Sequence, residues 1–150
     1  MKTVRGDLLD LAEAGEFDVI VQGCNCHHRM GAGLARGIRE RFPEAFGADL
    51  GTPMSQRSKL GTFSSAIIKR GMVRFVVVNA YTQFDYTGPN PVDYGAISSC
   101  FRRIKREFAG KRIGIPRIGA GLAGGDWERI KDLILAEMGE EDLTLVEFSG

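Results

Sequence analysis

Asp18 to Phe42 reads DVIVQGCNCHHRMGAGLARGIRERF, a stretch that passes from a buried strand through a glycine-bearing turn directly into an amphipathic helix. Val19, Ile20 and Val21 form a short β-branched run suited to a strand buried on both faces. Leu34, Ile38 and Phe42 recur at helical spacing. Between them, Gly31 and Gly33 let the backbone come close to a ligand. The first amides of the helix have no intrahelical acceptor, so they offer donors and a positive dipole end to an anion. A Gly-x-Gly turn also serves simply to reverse the chain, and on this stretch alone the two readings carry similar weight.

A second stretch shifts that balance. Arg112 to Trp127, RIGIPRIGAGLAGGDW, repeats the grammar of short apolar strand, glycine-rich loop and helix, the last marked by Trp127, Ile130, Ile134 and Met138. Two such loops predict two phosphates. Neither ends in the Gly-Lys-Ser/Thr of a P-loop, and neither completes a Rossmann fingerprint, so a diphosphate held by backbone amides is expected.

Outward from these loops the chain alternates strand and helix. Lys2–Gly6 predicts a first strand, and residues 7–14 a short helix that Asp7 can cap. Residues 43–61, with Pro43, Gly47, Gly51, Pro53 and Gly61 among polar residues, predict a long connection holding at most a turn of helix. Residues 63–69 and 73–80 predict a hairpin turning at Arg70-Gly71-Met72. Tyr81, Phe84 and Tyr86 mark an aromatic loop over residues 81–92, suited to walling a sugar or base or to covering a core edge. Ile97, Phe101, Ile104 and Phe108 stripe a helix over residues 93–108, and residues 143–148 predict a last strand. This pattern predicts one domain over residues 1–150, a three-layer α/β/α sandwich with ligand loops at strand ends.

Composition bounds the function. Of 150 residues, 43% are hydrophobic, and 20 basic against 19 acidic side chains leave a net charge of +1, so no global field draws the chain to nucleic acid or a membrane. Arg102, Arg103, Lys105 and Arg106 form a basic helix face, which reads as a solvated surface first and an RNA contact second. No apolar run reaches membrane-spanning length, and Met1-Lys2-Thr3 leads into a strand rather than a signal peptide, so a cytoplasmic protein is expected. Three cysteines, two of them one residue apart, fit a reducing compartment. Cys24-Asn25-Cys26-His27-His28 lacks the second ligand pair of a structural zinc site, so the cysteines read as buried fillers and neither metal nor cofactor is expected.

RGDL at Arg5–Leu8, GCNCHHRMGAGLA at Gly23–Ala35 and PRIGAGLAGGDW at Pro116–Trp127, in that order, resemble the macro domains, which bind ADP-ribose and related metabolites. The likeness spans nearly the whole chain. It is greatest to the compact branch holding the terminal ADP-ribose protein glycohydrolase, the yeast ADP-ribose-1''-phosphate phosphatase and small phage and bacterial proteins. The resemblance implies a mixed central sheet and a monomer whose partner is ADP-ribose or a derivative, including ADP-ribosylated protein or nucleic acid. It implies that Asp7 and Leu8 meet adenine, and that Arg29, Met30, Gly31, Ala32, Gly33 and Leu34 form one phosphate loop. Ile118, Gly119, Ala120, Gly121 and Leu122 would form the other. Thr82 and Gln83 would line the crevice after the central strand, and Asn25 would face the distal ribose. Asn25, Asp126 and His28, or its neighbour His27, are the candidates for directing water or a proton. Their plainer roles are an asparagine satisfying its own turn, a helix cap and loop histidines. The glycohydrolase pattern is broken in two places, since Asn79–Gln83 holds no lysine and Ala123 stands where an aspartate is expected. Its lysine-adduct mechanism is therefore not carried over. A hydrolase at the distal ribose, a non-catalytic ADP-ribose reader and an RNA-binding module are the readings in order.

Overall fold

Strands built from valine and isoleucine on both faces need cover on both sides. The computed structural model, which describes residues 1–89, 91–121 and 123–149, supplies it. Strands β1 (Lys2–Gly6), β2 (Val19–Cys24), β3 (Phe63–Arg70), β4 (Val73–Tyr81), β5 (Ile113–Ile115) and β6 (Leu143–Phe148) form one sheet in the order β1-β6-β5-β2-β4-β3. Every pairing is parallel except the β3–β4 hairpin, so the sheet is mixed, as the motifs imply.

Helices α1 (Leu8–Glu13), α2 (Gly33–Arg41) and α3 (Pro43–Leu50) cover one face, and α4 (Tyr94–Phe108) and α5 (Trp127–Met138) the other. Adjacent strand residues point to opposite faces. Thus Ile20 packs with Leu9, Ile38 and Phe42, whereas Val19 and Val21 pack with Ile97, Phe101, Ile130 and Ile134. Each such side chain, once fully buried, contributes about 1.5–3 kcal/mol. No helix among the described residues is long and apolar enough to cross a membrane.

One expectation is corrected. Residues 43–61 are not a long connection. Pro43 occupies the first turn of α3, where its missing N–H costs nothing, and a 3-10 turn follows at Arg57–Lys59. A nineteen-residue structureless stretch inside a small domain is itself improbable. Gly47 hides the helix from propensity, because mid-helix glycine costs about 1 kcal/mol against alanine. Tertiary contacts override that cost: Ala45 is buried in the core and Asp49 accepts the Tyr81 hydroxyl at 2.7 Å.

The handoffs from strand to helix set the site. β2 leads to α2 on one face, while its parallel neighbour β5 leads to α5 on the other. A crevice opens where adjacent connections diverge in this way, at the carboxyl ends of the strands. β1, β6, β5, β2 and β4 all end on that edge.

Candidate functional site

The first loop runs from Asn25 to Ala32. Met30 and Cys26 are buried with Cys24 and Tyr81 in a small satellite core beneath it, which pins the loop from below. The Met30 side chain is therefore packing. Among the described residues, the amides of Met30, Gly31 and Ala32 have no backbone acceptor. α1, α4 and α5 each begin with an aspartate whose side chain accepts the first amides: Asp7, Asp93 and Asp126. α2 has Ala32 at its N-cap position, with no side chain able to cap it. Its first amides are left open beside the crevice, and an uncapped helix N-terminus is an anion site.

The second loop, Pro116 to Asp126, closes on itself. Gly125 donates to the Gly119 carbonyl at 2.7 Å and Gly124 to that of Gly121 at 3.1 Å. A side chain at Gly125 would lie 2.6 Å from the Gly119 oxygen, so packing demands glycine there. At Gly31 and Gly121 an added Cβ meets nothing within 4 Å among the described residues. The fold does not need those two to be bare, and the open space beside them is room for a ligand. Ile118 is buried below the loop, Ala120 is partly covered, and Leu122 lies outside the described residues.

Gly23, at the end of β2, brings the neighbours together: its bare Cα lets Thr82 Oγ1 and Ile118 close in, since a Cβ would meet them at 2.8 and 3.1 Å. Thr82 is fully buried and its hydroxyl has no hydrogen-bond partner among the described residues. Gln83 is turned to the Asp85 carbonyl, to which its side chain donates at 2.7 Å.

The candidate chemical groups are partly committed to their own loops. Asn25 is buried, donates to the Arg29 carbonyl at 2.8 Å and accepts from the His27 amide at 2.9 Å. Asp126 accepts from the Glu128 and Arg129 amides through one oxygen, Oδ1, at 3.1 and 3.4 Å. Asp7 likewise uses Oδ1 for Leu9 and Asp10, while Oδ2 has no partner among the described residues. Leu8 is buried in the core. His28, at φ 57°, points its Nε2 to the carbonyl of Thr52 at 2.9 Å. His27 instead bridges Ser55 and Asp85, at 2.7 and 3.1 Å. Desolvation raises the thiol pKa of Cys24 and Cys26, and pushes Cys100 up to about 12, which keeps all three protonated and inert. Among the described residues no three His, Cys, Asp or Glu side chains gather to hold a metal.

A macro domain family model matches residues 21–134, a span that contains both loops. The chain belongs to the macro domain family. This macro domain is 32% identical to an uncharacterized 17.5 kDa protein of Enterobacteria phage T4, over 99% of this chain and 96% of that one. It is 24% identical to an ADP-ribose 1''-phosphate phosphatase of Candida albicans, over 83% of this chain and 85% of that enzyme. Among solved structures, the macrodomain of Mycobacterium tuberculosis DarG superposes with a TM-score of 0.77 at 21% identity, covering 99% of this chain and 97% of that one.

Motif reading passed over two features of the edge. Phe148 is 74% exposed, unusual for phenylalanine, and pairs in register with Gly6, next to Asp7. A cleft lined by Pro116, Arg117, Val146, Glu147 and Phe148 opens there, past the end of β5. The other is the support that Thr52 and Ser55 give to the first loop, which no local pattern signals. The basic face of α4 serves elsewhere: Arg102 pairs with Glu137 at 2.8 Å, and Arg103 and Arg106 line a separate cleft with Thr62 and Phe63 beside β3.

Proposed function

We propose that this macro domain binds ADP-ribose along the carboxyl edge of its sheet and hydrolyses a derivative at the distal ribose. The observation that carries the reading is the uncapped N-terminus of α2, set at the switch point between β2 and β5 and facing a second loop with open space at Gly121. Two anion-receiving loops a single strand spacing apart, about 4.8 Å, suit the two phosphates of one diphosphate. Adenine lies toward β1 and β6, where the free Oδ2 of Asp7 takes an amino group and the exposed Phe148 ring offers a stacking face. The distal ribose lies on the other side, toward β4, near Asn25 and Thr82. Its leaving group is a phosphate, an acyl group or an ADP-ribosylated macromolecule. The name of the Candida relative supports this placing of the chemistry. Catalysis there is mostly positioning: the loops fix the diphosphate, and Asn25 with Asp126 or a histidine directs water.

A non-catalytic reader is the second reading. It is favoured by the commitment of Asn25 and Asp126 to their own turns and by Ala123 in the second loop. Incubation with ADP-ribose-1''-phosphate, O-acetyl-ADP-ribose and an ADP-ribosylated peptide, with products followed by chromatography, separates the two. Release from any one, lowered by Asn25→Ala far more than ADP-ribose affinity is, supports the hydrolase. Tight ADP-ribose binding with no release from all three assigns the reader. No heat and no thermal shift at millimolar ADP-ribose refutes both.

A further inference from the structure

Ser55, His27 and Asp85 reach one another from three separate segments: the stretch between α3 and the 3-10 turn, the first glycine loop, and the aromatic loop after β4. His27 Nδ1 lies 2.7 Å from Ser55 Oγ, and its Nε2 lies 3.1 Å from Asp85 Oδ1. An imidazole held between a hydroxyl and a carboxylate is the arrangement that activates a serine for attack at an acyl carbon, and it is recognised by geometry rather than by sequence order. A second observation is independent of that contact. Ser55 adopts φ 57°, a left-handed conformation uncommon outside glycine and concentrated at functional sites. Its amide is held by the Cys26 carbonyl at 2.7 Å, while the residue itself is exposed, so the hydroxyl is fixed and reachable.

The surroundings suit an anionic transition state. Phe84 and Tyr86 hold the imidazole edge-on, with centroids at 4.6 and 5.9 Å. Arg57 stacks on the same Phe84 ring at 4.1 Å, and Arg29 stands over Tyr86 at 5.0 Å. Neither guanidinium has a carboxylate partner among the described residues. The cluster is continuous with the ribose end of the crevice, because the His27 amide donates to the Asn25 side chain at 2.9 Å.

We infer that Ser55, His27 and Asp85 form a nucleophilic centre for carboxylic esters at the ribose end of the site. The inference rests on the reading that ADP-ribose lies in the crevice with its distal ribose at Asn25, and it selects acyl esters of that ribose as the substrate class. Ser55 Oγ attacks the carbonyl carbon while His27 Nδ1 takes the serine proton. Asp85, accepting the Nε2–H, stabilises the imidazolium, and Arg57 faces the oxyanion. The bond from acyl carbon to ribose oxygen breaks, and that oxygen leaves with the proton from His27. Water then cleaves the acyl-serine by the same proton path, releasing the carboxylic acid and restoring Ser55. Phosphate monoesters and glycosidic bonds offer no acyl carbon to this centre.

The test combines three measurements on the full chain: fluorophosphonate labelling located by peptide mass spectrometry, turnover of O-acetyl-ADP-ribose and of p-nitrophenyl acetate, and ADP-ribose calorimetry. The probe should modify Ser55, because the His27 imidazole accepts the serine proton as the hydroxyl attacks. Ser55→Ala should abolish labelling and lower ester turnover by about 100-fold or more, with ADP-ribose binding retained. Should His27→Ala weaken the loop, His27→Gln and Asp85→Asn still report through labelling rate at matched melting temperature. Absence of label on Ser55 in the wild type, or full ester turnover by Ser55→Ala, overturns the inference. Labelling of Ser55 and cleavage of p-nitrophenyl acetate without any ADP-ribose binding would sink the ADP-ribose reading and leave the nucleophilic centre standing.

Discussion

Gly121→Glu and Gly125→Ala, four residues apart in the second loop, should fail in opposite ways. At Gly121 an added Cβ meets nothing within 4 Å among the described residues and the backbone is not left-handed, so a side chain is tolerated by the fold. A carboxylate there confronts the phosphates: two unit charges about 4 Å apart in a surface-like dielectric repel by about 4 kcal/mol, and solvent at an exposed loop halves that. The resulting 2–4 kcal/mol weakens ADP-ribose binding by about 30- to 700-fold. At 100 times the wild-type Kd, ligand stabilises wild type by about 2.7 kcal/mol, a rise of about 5–10 °C in Tm for a domain of this size. A variant weakened 100-fold keeps only about 0.4 kcal/mol, a rise of about 1 °C. At Gly125 the added Cβ lies 2.6 Å from the Gly119 carbonyl oxygen and 2.7 Å from Ile130 Cδ1, and the first of these is backbone that cannot swing aside. Overpacking of that kind costs about 1–3 kcal/mol, or about 2–12 °C in Tm without ligand. Scanning calorimetry with and without ADP-ribose reads both. A folded Gly121→Glu with unchanged affinity would remove the second loop from the site and refute the reasoning.

Three other perturbations test separate parts. Asp126→Ala removes the α5 cap and should cost about 1 kcal/mol, seen as about 2–4 °C in Tm; a fall in turnover beyond the effect of that destabilisation would instead give Asp126 a part in the chemistry. The Arg112 guanidinium holds the Asp18 carboxyl below its usual value of 3.8, so this pair stabilises the fold above about pH 4 and its contribution is lost as pH falls through the depressed value. The pair is exposed and its effect small, but Asp18→Asn should make the acid limb of a urea-midpoint profile shallower, and an unchanged limb would refute the linkage. Lys59 is buried over the Tyr81 ring at 4.3 Å with no hydrogen-bond partner among the described residues, and desolvation lowers its pKa below 10.5. Because the unfolded chain then holds more protons than the folded one, Lys59 makes stability climb with pH up to about 10.5. The wild-type minus Lys59→Met difference in urea midpoint should rise across that window, and a flat difference would refute it.

Much of this molecule is written in local pattern. Val19–Val21, the hairpin over residues 63–80 and the stripe Ile97, Phe101, Ile104, Phe108 each state their element, because periodic burial leaves its period in the sequence. The two glycine loops are legible for the same reason: a strand, a glycine turn and a helix follow one another directly along the chain. Asp7 and Asp126 announce helix starts and are found capping them. What the sequence left undetermined depends on residues distant along the chain. α3 is masked by Gly47 and specified by contacts with β4, more than thirty residues away. The divergence of β2 and β5 toward opposite faces makes two turns into one crevice, and strand order carries no local signature. Nor does any motif signal that His27 would stand between Ser55 and Asp85 while His28 turns to Thr52. Adjacent histidines are indistinguishable as sequence, and only the packing of three loops against the satellite core under Met30 directs one ring to the carboxylate and the other to a backbone carbonyl.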